Sequence, residues 1–164
     1  MKRTQNLGIK ILPLLIQFAL LFFLIGPSSD LKAQSNWEAG VRFGSDISLD
    51  LTIPIGVAPR LHPAIYFDRF GFGTYFDWMF ALSGGPTGLK FYPGVGPEFF
   101  FGNEFDFLIT GDFGAEYSFD FPLTIGFDWR PGFVLTDGFK FKSNNWGLIA
   151  RFRFGEVVKF ERAD

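Results

Sequence analysis

The residues of this 164-residue sequence that can do chemistry are one histidine, His62, and acids and bases recurring at two-residue intervals, with no cysteine anywhere. Without cysteine there is no disulfide, no thiolate nucleophile or metal ligand, and no lipid-bearing cysteine. A Ser-His-acid hydrolase would need His62. Its neighbourhood, Arg60-Leu61-His62-Pro63, reads instead as a turn or the start of a strand, so no catalytic residue is expected. Asp112 and Glu116 share a strand face. Four residues of strand hold them about 13 Å apart, too far for one metal ion or a paired-carboxylate mechanism unless other strands contribute. Gly94-Val95-Gly96 lacks the third glycine and the following helix of a dinucleotide loop, and reads as small residues lining a tight space. No cofactor, no metal and no enzymatic activity are expected.

The elements that would position these residues begin after an export segment. Lys2, Arg3 and Lys10 form a basic start, residues 11–25 are apolar apart from Gln17, and Gly26-Pro27-Ser28-Ser29 precedes Ala33. That is the form of a secretory signal peptide cleaved near Ala33. As a helix the apolar run would reach only about 22 Å, short of the roughly 30 Å hydrocarbon core. The expected organisation is a signal peptide over 1–33, one domain over 34–154 and a tail over 155–164. Without Lys2, Arg3, Lys10, Lys32 and Asp30 the remaining chain has 11 basic and 16 acidic residues, a net charge of −5. An acidic surface argues against nucleic acid as a partner.

Twenty-five Phe, four Tyr and four Trp accompany 20 Gly, more large rings than a soluble core of this length can hide. From Trp37 on, the sequence alternates with period two, the pattern of strands with two unlike faces. Eight strands are expected, over 37–43, 47–55, 61–67, 70–80, 89–101, 105–119, 123–135 and 146–154. Their turns fall at Gly44-Ser45-Asp46, Ser83-Gly84-Gly85-Pro86, Gly102-Asn103 and Asp137-Gly138, and residues 137–145 read as the longest loop. Eight strands of about ten residues fit a closed barrel. The interior of such a barrel is only just filled by its own side chains. About thirty large apolar side chains therefore belong outside, with glycines and ion pairs inside.

Two turn assumptions fix a register. If Phe119 pairs with Leu123, Asp112 faces Arg130; if Phe101 pairs with Phe105, Lys90 faces Glu116. Closing the last strand on the first brings Arg151 and Arg153 near Glu38 and, through the preceding strand, near Asp128. The expected interior charge network is Glu38, Lys90, Asp112, Glu116, Asp128, Arg130, Arg151 and Arg153, a structural plug because buried charges need partners before they need a purpose. Trp37, Trp78, Trp129 and Trp146 are expected as anchors of interfacial aromatic girdles.

Gly88-Leu89-Lys90-Phe91-Tyr92-Pro93-Gly94-Val95-Gly96, Gly114-Ala115-Glu116-Tyr117-Ser118-Phe119, Pro122-Leu123-Thr124-Ile125-Gly126-Phe127-Asp128-Trp129-Arg130-Pro131 and Ala150-Arg151-Phe152-Arg153-Phe154 resemble the small OmpX-like and OmpA-like outer-membrane barrels. The likeness covers about Trp37 to Phe154. It implies an eight-stranded barrel with a polar, charge-filled interior. It implies little about activity, because that family includes adhesins, defence-related proteins and members of no known role. Two features depart from it: Gly155 to Asp164 follows the final aromatic, leaving the insertion signal internal or near Phe160, and Pro93, Pro97 and Pro131 fall inside strands, where bulges or missing ladder bonds are expected.

The expectation is thus an all-β chain, an eight-stranded antiparallel up-and-down transmembrane β-barrel, lodged in outer-membrane lipid of a Gram-negative bacterium with a structural or interaction role. The alternatives are a narrow small-solute channel, a soluble periplasmic lipocalin-like carrier and a membrane enzyme acting on lipid; the missing Ser-His-acid set disfavours the last.

Overall fold

A computed structural model describes residues 37–154 apart from Asn103 and Asp137. The expected signal peptide, 1–33, and the 155–164 tail with Phe160 lie outside the described residues. Ten strands follow one another: β1 (Trp37–Gly44), β2 (Ser48–Pro54), β3 (Pro59–Tyr66), β4 (Gly71–Trp78), β5 (Leu89–Phe100), β6 (Asp106–Ser118), β7 (Leu123–Trp129), β8 (Gly132–Val134), β9 (Lys140–Lys142) and β10 (Trp146–Phe154). β7 and β8 both pair with β6, and β9 lies on β8 while β10 lies on β7, so the ten strands make eight staves. All pairings are antiparallel, and β1 against β10 closes the ring. The chain is an eight-stranded up-and-down β-barrel.

The alternation in the sequence becomes inside and outside. β4 is the plainest case: Gly71, Gly73, Tyr75 and Asp77 are buried and Phe72, Thr74, Phe76 and Trp78 exposed. Thirty large apolar side chains are exposed among the described residues, while Arg42, Arg130, Arg151, His62, Tyr66, Tyr75 and Tyr92 are buried almost completely. The usual distribution of a globular protein is inverted.

The prolines interrupt the ladders where their missing N–H would have pointed. β5 pairs with β6 along its whole length. Against β4 its pairing breaks after Gly73↔Glu98, resumes at Phe76↔Val95 and Asp77↔Gly94, and reappears only as the Phe80↔Phe91 bridge. Pro97 and Pro93 occupy the two gaps. Pro63 does the same between β2 and β3, where pairing skips from Asp50↔Ala64 to Ile53↔Leu61. Arg130-Pro131 separates β7 from β8, bridged by Gly111 N–H to Pro131 O and Arg130 N–H to Asn145 O, both 2.8 Å.

Two elements differ from expectation. β3 starts at Pro59, so His62 sits mid-strand rather than in a turn or at a strand start. Within the expected long loop, β9 folds back on β8 as a hairpin whose connection has positive φ at Gly138 (71°) and Phe139 (54°).

Candidate functional site

The inward faces of the staves assemble one polar network in three layers. At the rim that carries both ends of the described chain, Glu116 on β6 takes Arg60 Nη1 at 2.9 Å and also pairs with Arg151. Arg151 Nε reaches Glu38 Oε2 at 3.1 Å, and Thr124 donates to the other Glu38 oxygen at 3.1 Å. Lys90 stands opposite Glu116 across the β5–β6 ladder. Arg153 donates to the backbone carbonyls of Phe119 and Phe121, tying the last strand to the β6–β7 turn.

The middle layer holds His62 and four aspartates. Arg130 binds Asp50, Asp112 and Asp128 at 3.0, 3.2 and 3.1 Å. Arg42 binds Asp128 at 2.7 Å, and Arg60 binds Asp77 at 2.9 Å. His62 Nε2 lies 2.9 Å from Asp50 Oδ2, and Nδ1 lies 3.0 Å from both Asp77 Oδ2 and Asp112 Oδ2. Three guanidinium groups serve four aspartates here, and one of them, Arg60, is shared with Glu116.

Nearer the other mouth, the Tyr66 and Tyr75 hydroxyls both meet Glu98 Oε1, and Arg130 Nη1 donates to Tyr66 at 3.0 Å. Above them opens a cavity of about 300 Å³ whose wall includes Asp46, Asp68, Arg69 and Lys142 and whose floor includes Glu98 and Arg130.

The two turn-based pairings of the sequence reading are in register: Lys90 faces Glu116, and the β6–β7 ladder, closed by Phe119 N–H to Leu123 O at 3.0 Å, carries Asp112 level with Arg130. Arg151 and Arg153 lie by Glu38, but neither is at Asp128. β10 is staggered so that Gly147 stands opposite Asp128 and Arg151 opposite Thr124. The cations that reach Asp128 are Arg130 and Arg42, and Arg42 crosses over Gly147 to do so.

That crossing depends on glycine. A Cβ at position 147 would overlap the Arg42 guanidinium, and one at Gly114 would overlap the Tyr92 ring. Gly147→Ala therefore costs about 1–3 kcal/mol, the range for overpacking, read as a lower urea midpoint. Gly102→Ala, with its nearest neighbour 4.0 Å away, leaves the midpoint where it is.

The sequence reading left out Arg42, Asp50, Arg60, His62, Asp77, Glu98 and the three inward tyrosines. For most of them the signal was parity alone: Arg42 follows Glu38 and Gly40, Asp50 lies between Ser48 and Thr52, and Asp77 follows Gly73 and Tyr75 on one face. Two proline-flanked residues, Arg60 and His62, carried no usable signal. Comparison of the chain with protein-family models, with curated proteins and with solved structures returns no match.

Proposed function

We propose that the chain is an integral outer-membrane barrel, exported after cleavage near Ala33, whose interior is plugged by its own charges and whose role is structural or interactive. The observation that carries this reading is the inverted burial: thirty large apolar side chains exposed against ten apolar residues buried among those described. A continuous apolar wall of that extent is costly in water, whereas in lipid a closed barrel leaves no backbone group unpaired at an edge. Tryptophans support it. Trp37 and Trp78 lie by the chain-end rim, while Trp129 and Trp146 stack at 5.3 Å beside the β1–β2 turn, the placement of aromatic girdles.

The interior favours a plug over a pore, because Arg42, Arg130 and Arg151 cross the lumen and are fully buried. It also disfavours a lipocalin-like carrier, which would need an apolar cavity in the lumen, where the network stands.

The test is migration on a cold gel, with and without boiling, of protein from a washed outer-membrane fraction. A band that shifts on boiling is expected. Protein found in the soluble periplasm with no shift would replace the membrane reading by the carrier reading. In planar bilayers the purified barrel is expected to give no unitary conductance steps; regular steps would make it a channel.

A further inference from the structure

We propose that His62, Asp77 and Asp112 form a binding site for a divalent transition-metal ion at the centre of the barrel. The three residues come from β3, β4 and β6 and are completely buried. Each offers one ligand atom, and these atoms lie within 4.8 Å of one another. Nδ1 of His62 is 3.0 Å from an oxygen of each carboxylate. Metal bonds of about 2.0–2.2 Å to nitrogen and oxygen place neighbouring ligands at roughly this separation, so the set is close to the geometry an ion needs.

Two further observations point to a ligand. Asp77 Oδ1 and Asp112 Oδ2 are buried and have no hydrogen-bond partner, although nearly all buried polar atoms in proteins have one. Asp112 Oδ2 approaches Nδ1 without the angle of a hydrogen bond. The second observation is the surrounding shell. His62 Nε2 faces Asp50 Oδ2 at 2.9 Å, and an N–H donated there leaves Nδ1 with its lone pair toward Asp77 and Asp112. A histidine held by a carboxylate through its far nitrogen is the usual support of a metal-bound imidazole. Arg130 fixes Asp112 through Oδ1 at 3.2 Å, leaving Oδ2, the oxygen 3.0 Å from Nδ1, uncommitted; Arg60 orients Asp77 through Oδ2 at 2.9 Å, the oxygen that also faces Nδ1.

The donor set chooses the class of ion. One imidazole and two carboxylates, with no thiolate, suit Zn²⁺, Co²⁺, Mn²⁺ or Fe²⁺. Ca²⁺ prefers six to eight oxygens. With His62 neutral, the four aspartates of this layer have only three guanidinium partners, so an added cation that replaces the imidazole proton meets an excess of negative charge. The mouth cavity ends on Arg130, whose Nη2 is 3.3 Å from His62 Nε2, so a single side-chain layer separates the site from the open end. The competing occupant is a proton on Nδ1, donated to Asp77.

The experiment uses the full chain from whichever fraction the cold-gel experiment finds it in, so failure of the membrane reading does not decide this one. After treatment with EDTA the protein is titrated with Co²⁺. One ion per chain is expected, with ligand-field absorption in the visible and displacement by Zn²⁺. Asp112→Asn, which keeps the shape, lowers the Co²⁺ affinity at least tenfold, and His62→Gln removes the absorption. A wild-type β-sheet circular-dichroism spectrum with a cooperative urea transition reports that each variant is folded; if His62→Gln does not fold, the wild-type stoichiometry and Asp112→Asn decide. No Co²⁺ bound by the wild type means that a proton alone occupies the site and overturns the proposal. So does an unchanged spectrum in the folded variants, which would place the ion elsewhere, for example at Asp46 and Asp68.

Discussion

Replacing Arg130 by methionine is expected to destabilise the barrel by about 3–5 kcal/mol, the cost of removing one partner from a buried ionic network. The residue is 1 % exposed and serves three aspartates from three staves, Asp50, Asp112 and Asp128. Its guanidinium also lies 4.6 Å from the Tyr75 ring. Methionine fills most of the volume, so the loss is electrostatic: Asp50 and Asp112 lose their guanidinium partner, and Asp128 keeps only Arg42. Equilibrium unfolding in urea, followed by the unboiled band, measures it. Adding Asp112→Asn removes one stranded charge and recovers part of the loss. Arg69→Met provides the contrast. Arg69 also makes an ion pair, 2.7 Å from Asp106, but it sits at the rim with its side chain 43 % exposed, and its removal changes stability by less than about 1 kcal/mol. Equal losses at the two positions would mean that the interior network is solvated, and the plug reading would fall.

The barrel was legible because period-two alternation does two things at once. It names the strand, and it divides the residues between two faces whose contents, rings on one and glycines with charges on the other, fit only one closure. Register was legible where a turn was short: the Phe119–Leu123 and Phe101–Phe105 assumptions carried Asp112 to Arg130 and Lys90 to Glu116 because a β-ladder propagates a single offset along its length. It failed at Asp128, since the β7–β10 ladder (Trp129↔Trp146) is offset by one residue from the β8–β9 ladder (Gly132↔Lys142), a slip across Pro131 and Ser143-Asn144-Asn145 that alternation does not reveal. His62 was misplaced for a different reason. Proline at 59 and 63 signals a turn in an open sheet, yet on β3 Pro63 costs only a gap in its ladder with β2, and the inward residues Arg60, His62, Ala64 and Tyr66 keep the alternation intact. Even a correct parity for His62 would not have joined it to Asp77 and Asp112, because that meeting spans β3, β4 and β6 across the lumen.

The nature of the solvent outside the wall is open to one substitution. Val95 lies in the middle of β5, between Phe76 on β4 and Gly111 on β6, and is 55 % exposed. If the wall faces hydrocarbon, Val95→Arg brings a charge to the lipid face near mid-depth and is expected to cost about 2–4 kcal/mol in phospholipid vesicles. Phe139→Arg, in the hairpin turn between β8 and β9 and 67 % exposed, stands toward the polar boundary and costs about 0–1 kcal/mol. The contrast between the two positions carries the information, because both substitutions exchange an exposed apolar side chain for the same cation. In water neither would matter beyond about 0.5 kcal/mol. A large loss at 95 with a small one at 139 supports a lipid-embedded wall; two small losses would return the chain to a soluble barrel, whose thirty exposed apolar side chains would then need a protein partner to cover them.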